Sequence, residues 1–305
     1  MVLGFGLLAV SAVLLIAGAE LFAENVAAAA RGMRITVFGA AFLLAGAEPE
    51  EMITAAIASG RHHPGLAAGD AVGANLTMLT LVLGLAALAR PLPFGGRVRT
   101  YAAWSALAGG LAALLAAGGH ISRAQGGLLL AAYLAWLALL WRREREPPTI
   151  GEAAGAGQAI ADAGSRDPLL GLGLAVGGIA LMAAGGWLAV GGAERVVLTL
   201  RLTDSAVGLT LLALATTAEL FALAWAAMRR GVSEIAVAGV IGSVAYNATA
   251  SLGVAALVRP LAAVTGVLAP AVAAAALPIA LIAITPKRRL SRWAGVLLII
   301  GYAGW

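Results

Sequence analysis

Two stretches of this sequence place carboxylates in apolar surroundings. Residues 47–51 read Ala-Glu-Pro-Glu-Glu and residues 215–219 read Ala-Thr-Thr-Ala-Glu, each within a long apolar run. An ionised side chain at the centre of a bilayer costs at least about 2.5–3.5 kcal/mol on insertion scales, so intramembrane carboxylates indicate functional sites by default. Carboxylates, hydroxyls and freed backbone carbonyls supply the oxygen ligands that a hard cation such as Ca²⁺ prefers. The chemistry that these residues predict is therefore reversible cation binding, which needs no covalent step.

The two acidic stretches are copies of one another. A shift of 169 positions pairs Gly39 with Gly208, Glu50 with Glu219, Gly73 with Gly242 and Leu83 with Leu252. Because Glu50 is the acid of the first copy that has an acidic counterpart, we predict Glu50 and Glu219 as the central cation ligands. A second correspondence relates residues 18–20 to residues 192–194, which both read Gly-Ala-Glu.

Neighbouring polar residues complete the predicted site. Thr216 lies three residues before Glu219 and shares its helical face. Ser243 and Asn247 are four residues apart in a later apolar segment, so they offer a hydroxyl and an amide oxygen from one face. The predicted cation-binding set is Glu50, Glu219, Thr216, Ser243, Asn247, Glu48 and Asp70.

Several polar residues also have a plainer interpretation. Glu48 and Glu51 could reach the membrane interface or carry protons instead of binding the cation. Asp70 suits the N-terminus of a helix equally well, where a negative charge interacts favourably with the helix dipole. The hydroxyl of Thr217 is expected to bond back to the preceding turn. The histidine pair at 62–63 is expected to be solvated in a loop rather than to bind a metal.

Proline and glycine residues predict where these helices are irregular or closely packed. Pro49 has no backbone N–H and clashes with the preceding turn, so its helix is expected to kink or open there. Irregular backbone at membrane depth is tolerated only where protein or a water-filled cavity covers it. Gly69 and Gly73 are expected to let helices approach one another.

The composition indicates a membrane protein. Of 305 residues, 61% are hydrophobic and 11% are charged, whereas typical soluble domains carry about 25% charged residues. The arginines stand singly between apolar runs and form no patch with aromatic residues, so binding of nucleic acid is not expected. We predict an all-α integral membrane protein in a lipid bilayer, since runs of about 20 apolar residues span its hydrocarbon core. Its ten transmembrane helices are placed at about residues 2–29, 35–59, 67–88, 100–119, 124–142, 169–198, 204–228, 234–257, 261–284 and 291–305.

A polar segment divides the ten helices into two sets of five. Residues 143–168 are rich in Gly, Ala, Pro and mixed charges, which is typical of a linker. The predicted domains are therefore residues 1–142, the linker 143–168 and residues 169–305. Of the 20 Lys and Arg, 15 fall on odd-numbered connections and five on even-numbered ones, which predicts a cytoplasmic linker and both termini outside the inner or plasma membrane. Because five is odd, the second set enters from the opposite side, and inverted repeats are typical of secondary transporters.

The duplicated motifs resemble those of the cation/calcium antiporter superfamily, which includes sodium/calcium and proton/calcium exchangers. The pattern of that family is roughly Gly-Thr-Ser-x-Pro-Glu in one helix and Gly-Asn-x-x-Gly-Ser-Asn in the next. The matching stretches are residues 46–50 with 69–75, and residues 215–219 with 239–243. The resemblance implies ten spans, four central helices around the cations, and spans 1 and 6 that slide to alternate access. The ligands that it implies are Glu50, Glu219, Thr216, Ser243 and Asn247.

The chain departs from that pattern, mainly in the first copy. Gly46 and Ala47 replace the Thr-Ser pair, Ala74 replaces a serine and Met78 replaces an asparagine. The resemblance implies that these positions help to form sodium sites in sodium-coupled members. In the second copy Ala218 replaces the proline, as in the proton-coupled branch. More carboxylates and fewer neutral oxygens suit proton coupling, because closely placed acids retain protons more readily.

We therefore predict a secondary antiporter that exchanges Ca²⁺ or a related cation for H⁺ or Na⁺ by alternating access, without a cofactor. The alternatives are a monovalent sodium/proton antiporter, a Mg²⁺ transporter or a cation channel of the same fold. An intramembrane metalloenzyme is disfavoured, since the sequence has three histidines and no His-Glu-x-x-His motif. The absence of cysteine excludes thiol chemistry and disulfides.

Overall fold

The computed structural model describes residues 1–32, 48–144, 167–221, 224, 233–262 and 264–304. Nearly all of the predicted linker and the first part of the predicted second span lie outside these residues. Helices account for most of the described chain, as predicted for an all-α protein.

The helices follow one another along both halves of the chain. The first half contains α1 (Val2–Gly32), α2 (Pro49–Gly60), α3 (Pro64–Ala89), α4 (Gly96–Ala116) and α5 (Arg123–Glu144). The second half contains α6 (Pro168–Leu200), α7 (Asp204–Thr216), α8 (233–258), α9 (Leu268–Ile284) and α10 (Arg292–Gly304). Four two-residue strands lie between helices: β1 (Leu92–Pro93), β2 (His120–Ile121), β3 (Leu261–Ala262) and β4 (Arg289–Leu290).

Several of these helices are long enough to cross a bilayer. Among the described residues, five helices satisfy the length and hydropathy of a membrane span, namely α1, α3, α5, α6 and α8. Helices α7, α9 and α10 are apolar but shorter. The fold is therefore that of a helical multi-pass membrane protein, and the count of ten spans stays a prediction.

The two halves repeat one another down to their irregularities. The shift of 169 positions maps the segments of α3, Pro64–Thr77, Met78–Val82 and Leu83–Ala89, onto those of α8, Ser233–Tyr246, Asn247–Ser251 and Leu252–Val258. The middle segment is π-helical in both helices. Such segments are rare in ordinary helices and frequent at functional sites. The duplicated sequence therefore folds twice into one backbone design.

The strands show how the halves are related. β1 pairs antiparallel with β4, and β2 pairs antiparallel with β3, so each pair joins the two halves. The pairs lie at opposite ends of α4, because β1 precedes that helix and β2 follows it. The shift of 169 positions turns β1 into β3 and β2 into β4. Placing one half of the chain on the other therefore also swaps the two ends of the bundle. Inverted repeats have this property.

Helices α1 and α6 pack closely through glycine. A Cβ added to Gly18 would lie 2.8 Å from the carbonyl oxygen of Gly178, and one added to Gly192 would lie 2.9 Å from that of Gly4. Small residues let helix backbones approach in this way within a membrane. The pair then packs against α2 and α7 of the central helices.

The centre of the bundle consists of α2, α3, α7 and α8. Helix α3 packs on the other three. A Cβ added to Gly69 would lie 2.9 Å from the backbone nitrogen of Leu209 in α7, and one added to Gly73 would overlap the Leu209 carbonyl. The predicted role of Gly69 and Gly73 in helix approach is confirmed, and it holds the two halves in contact around the predicted site.

Candidate functional site

Equivalent residues of the two halves are non-helical beside the candidate ligands. Glu48 is not helical, with φ −104° and ψ 66°, and α2 begins at Pro49. Thr217, at the position that corresponds to Glu48, ends α7 with φ −81° and ψ 2°, and the chain is helical again over residues 218–221. Because residues 33–47 lie outside the described part of the chain, the kink or opening predicted at Pro49 stays a prediction. The interruption at Thr217 occurs beside Ala218, so it does not depend on proline.

All seven predicted cation ligands are buried. Glu219 is 7% exposed, and each of the other six is at most 1% exposed. Burial of a carboxylate requires a partner, a proton or a cation to offset its lost hydration. The interpretation that Glu48 or Glu51 reaches the membrane interface is wrong, because both are buried as well.

Two hydrogen bonds cross from the second half to acids of the first. Ser243 Oγ donates to Glu48 Oε1, and Thr216 Oγ1 donates to Asp70 Oδ1 at 2.9 Å. In the described part of the chain, Oε2 of Glu48 and Oδ2 of Asp70 have no hydrogen-bond partner. Asp70 lies in the second turn of α3. The alternative of a helix-dipole role is therefore wrong, since that effect is confined to the first turn.

Glu51 is surrounded by the other polar residues of the site. Glu48, Glu50 and Asp70 lie close enough to repel its charge, and Asn247 is also within interaction range. Four acids of the first half thus share one buried region, and Glu51 belongs to it although it has no acidic counterpart.

Asn247 begins the π-helical segment of α8. Ser251 Oγ donates to Asn247 Oδ1 at 3.0 Å and so orients the amide. The equivalent residue of the first half is Met78, which is fully buried and offers no oxygen. At this position the second half therefore supplies a neutral oxygen and the first half does not.

The acids do not form a closed metal site in this conformation. Among the described residues, no three His, Asp or Glu side chains are grouped so as to hold a metal ion. Ca²⁺ takes six to eight oxygen ligands, and backbone carbonyls and water often supply some of them. Cation binding here therefore requires the carboxylates to turn toward one another, with carbonyls at the helix interruptions or water completing the ligand shell.

Two tyrosines that the sequence reasoning missed lie behind the acids. Tyr246 is buried and interacts with Glu48 and Glu50. Its ring meets that of Tyr133 edge to face, with centroids 5.3 Å apart. The adjacency of Tyr246 to Asn247 was a usable signal. No signal in the sequence points to Tyr133, because its position depends on the packing of α5 against α8.

Other buried polar atoms extend the region. Thr54 Oγ1, Asn75 Oδ1 and Thr77 Oγ1 have no hydrogen-bond partner in the described ranges, and all three residues are buried. Thr54 lies one helical turn after Glu50 on α2, so the two share a face.

The plainer interpretations had mixed outcomes outside the acids. Thr217 Oγ1 donates to the carbonyl of Ala213 at 2.7 Å, so the predicted bond to the preceding turn is confirmed. The prediction of a solvated histidine pair is wrong for His63, whose ring nitrogens face Asp204 Oδ2 at 2.8 Å and Glu194 Oε1 at 3.2 Å. Sequence spacing gave no sign of these contacts, because the partners lie in the other half of the chain.

The fold and the buried site together define a class of protein. A helical membrane protein built from two related halves, with acids of one half meeting hydroxyls of the other at the boundary, has the architecture of a secondary transporter. The particular family is given by comparison of sequences. The chain belongs to the sodium/calcium exchanger protein family, whose model matches residues 3–142 and 170–305.

Similar proteins align over nearly the whole chain. The putative antiporter CaxA of Alkalimonas amylolytica is 27% identical over 313 residues, which cover 97% of this chain and 95% of CaxA. The solved H⁺/Ca²⁺ exchanger CAX aligns with a TM-score of 0.77 and 15% identity, over 97% of this chain and 80% of its own. The sodium-calcium exchanger NCX_Mj, soaked with 10 mM Na⁺ and 10 mM Sr²⁺, aligns with a TM-score of 0.65 and 23% identity, over 99% and 97%. At these identities the two structures establish the fold alone.

Proposed function

We propose that this protein is a secondary antiporter that moves Ca²⁺ or a related cation across the membrane in exchange for H⁺ or Na⁺. Glu50 and Glu219, one from each half, bind the two ions in turn. The remaining ligands are Glu48, Asp70, Thr216, Ser243 and Asn247. Membership of the exchanger family and the description of CaxA as a putative antiporter support this proposal.

The observation that carries the proposal is the pairing of acids with hydroxyls across the boundary between the halves. Glu48 is bonded by Ser243, and Asp70 is bonded by Thr216. Because the members of each pair belong to different halves, a relative movement of the halves opens or closes both pairs. The affinity for a cation then differs between conformations, which is the condition for ion binding to shift their populations.

Within this proposal, H⁺ is the favoured coupling ion. Ala74 and Met78 are buried at the positions equivalent to Ser243 and Asn247, so the first half lacks two neutral oxygens. It supplies an additional buried acid, Asp70, instead. Desolvated acids close to one another take up protons readily, so a proton can replace the bound cation.

The proposal includes a membrane topology. Ten helices form two inverted sets, residues 1–142 and 169–305, joined by a cytoplasmic linker at 143–168, with both termini outside the inner or plasma membrane. The excess of Lys and Arg on the odd-numbered connections supports this orientation.

Transport by purified protein in liposomes tests the proposal. Ca²⁺ uptake is measured with an imposed pH gradient, with an imposed Na⁺ gradient and with neither. We expect uptake driven by the pH gradient, and its loss in Glu50→Gln and in Glu219→Gln. Glu20→Gln removes an exposed acid of α1 and serves as the matched control, in which transport is retained.

Each other result has a definite meaning. Uptake driven by Na⁺ alone would assign sodium coupling, and downhill flux without any exchanged ion would indicate a channel. Movement of Mg²⁺, or of Na⁺ against H⁺, with no movement of Ca²⁺ would replace the substrate. Parent-like uptake in either glutamine variant would refute the proposed site.

A further inference from the structure

A second polar cluster lies away from the buried acids. Arg61 Nη2 contacts Glu194 Oε2 at 2.6 Å, and His63 contacts both Glu194 Oε1 at 3.2 Å and Asp204 Oδ2 at 2.8 Å. Arg61 and His63 belong to the turn between α2 and α3, Glu194 to α6 and Asp204 to the start of α7. All four side chains are partly exposed, so water reaches the cluster. The charged contacts of this cluster therefore connect the turn between α2 and α3 to α6 and to α7 at one end of the bundle.

The geometry of His63 depends on its protonation. Its Nε2 faces Glu194 and its Nδ1 faces Asp204. A neutral imidazole has one N–H donor, whereas the imidazolium has two. The hydrogen bond to Asp204 and the ion pair with Glu194 are therefore both favourable only in the protonated ring, and deprotonation sets one ring nitrogen lone pair against a carboxylate. Histidine ordinarily changes charge between about pH 5 and pH 8.

The turn that carries Arg61 and His63 is held to the C-terminal end of α8. Ser59 Oγ donates to the carbonyl of Ala255 at 2.7 Å, and Arg259 Nη1 lies 3.0 Å from His62 Nε2. Within the turn, the backbone N–H of His63 donates to the carbonyl of Ala58 at 2.9 Å. These contacts hold the turn against the central helices, from which it reaches toward α6.

One face of α6 makes an aromatic and a charged contact with Arg61 of this turn. The Arg61 guanidinium lies 4.5 Å from the ring centroid of Trp187, and Glu194 is seven residues, or two turns, further along. Against α2, by contrast, α6 presents Gly186, whose missing side chain leaves Thr54 in close contact. At Gly186 the helix adds no side chain to its contact with α2, and its charged contacts with the turn are those of Glu194 with Arg61 and His63.

We propose that Arg61, His63, Glu194 and Asp204 form a pH-sensitive latch that holds α6 against the central helices, closed when His63 is protonated and released when it is neutral. The charged groups that face His63 are Glu194 from α6 and Asp204 from α7. Its own turn adds Arg61, which shares Glu194, and His62, which contacts Arg259 from the end of α8. Acidification of this face therefore slows the movement of α6, whichever cation is transported.

The rate of labelling of one buried thiol tests the latch without a transport assay. The chain contains no cysteine, and Ala193 of α6 is fully buried next to Glu194. In an Ala193→Cys background, we expect His63→Gln to speed labelling by at least about fivefold at pH 5.5, a typical size for coupling between sites. At pH 8.5 the ratio of the two rates should approach one, because the latch of the parent is then open as well.

Three further variants make the result decisive. His63→Lys, which stays charged, should keep labelling slow at both pH values. Arg61→Gln should speed it at pH 5.5 and leave it close to the parent rate at pH 8.5. His120→Gln removes an exposed histidine of β2, which is not part of the cluster, and should leave the rates unchanged. A His63→Gln ratio that is the same at both pH values would show a packing role only, and a ratio of one at both would overturn the latch. Neither outcome depends on whether the protein exchanges Ca²⁺.

Discussion

Two acids of the first half, Glu48 and Asp70, each accept a hydrogen bond from a hydroxyl of the second half, Ser243 and Thr216 respectively. The reverse arrangement is absent from the sequence, because the counterpart of Ser243 is Ala74 and the counterpart of Asp70 is Gly239. Helices α3 and α8 share one backbone design, but the buried acids are distributed unequally: Glu48, Glu50, Glu51 and Asp70 belong to the first half and Glu219 to the second. The charge state of these acids decides how strongly the pocket attracts a cation.

The pairing of Thr216 with Asp70 gives a first prediction. Thr216→Val removes a hydrogen bond to a charged group, which contributes about 1.5–3 kcal/mol. We expect the Ca²⁺ concentration for half-maximal transport to rise on the order of tenfold, since about 1.4 kcal/mol corresponds to that factor. Thr217→Val, which removes only a bond to the preceding turn, is the neighbouring control and should change it little. Equal effects of the two substitutions would assign no role to the contact with Asp70.

The contact between Ser243 and Glu48 gives a second prediction. If the two residues act as one unit, the effects of Ser243→Ala and Glu48→Gln on transport will not add. We expect the double variant to be about as impaired as the worse single variant, with a coupling of about 0.5–3 kcal/mol. Initial rates of Ca²⁺ uptake by the four proteins of the cycle measure this coupling. Additive effects would mean that the two residues act separately.

At the scale of residues, the sequence predicted which residues belong to the site better than it predicted which residues they contact. The burial of the seven candidate ligands followed from their place in apolar runs, and duplication selected Glu50 and Glu219. The bond between Thr216 and Asp70 joins residues 146 positions apart. No local pattern encodes such a pair, because it depends on the approach of α3 to α7. Tyr133 was missed for the same reason.

The elements of the site combine irregular backbone with close glycine contacts. The non-helical Glu48, the interruption at Thr217 and the π segments of α3 and α8 lie beside the buried polar residues. Irregular backbone inside a membrane needs cover from protein. Helix α3 provides part of that cover by lying against α7 at Gly69 and Gly73. The glycines thus matter to the site although they bind nothing themselves.

Replacement of such a glycine gives a third prediction. Gly69→Ala would place a methyl group 2.9 Å from the backbone of Leu209. Overpacking of this kind typically costs about 1–3 kcal/mol, so we expect a lower melting temperature in detergent. Gly110→Ala, on α4 with nothing within 4 Å of the added carbon, should be neutral or slightly stabilising because alanine favours the helix. Equal melting temperatures for the two variants would contradict the close approach of α3 and α7.

The apolar runs predicted where most elements lie but not how regular they are. Helices α1 and α6 begin and end within a few residues of the predicted spans 2–29 and 169–198. The predicted span 204–228 is interrupted at Thr217, where no proline marks the break. The π segments and the strand pairs were not predicted, since each depends on hydrogen bonds that hydropathy does not encode.

At the scale of the whole molecule, duplication accounts for the architecture. One shift of 169 positions relates α3 to α8 and the strands of the two halves, and it also relates the left-handed residues Gly119 and Arg288. The sequence revealed this shift from a few glycines and acids. It did not reveal that the strand pairs link the halves at opposite ends of the bundle, which is the structural counterpart of the inversion inferred from the odd number of spans.

The inversion leads to a prediction about the two faces of the membrane. His120 in β2 and Lys287 beside β4 are exposed and belong to different strand pairs. Because these pairs lie at opposite ends of α4, single cysteines at the two positions should react with an impermeant thiol reagent from opposite sides. The distribution of positive charge predicts that His120→Cys reacts from outside intact cells and Lys287→Cys only after the cytoplasmic face is opened. The cysteine-free parent gives the background, and labelling after solubilisation gives the total. Reaction of both cysteines from one side would contradict the inverted arrangement. A clean exchange of the two sides would keep the inversion and reverse the orientation of the protein in the membrane.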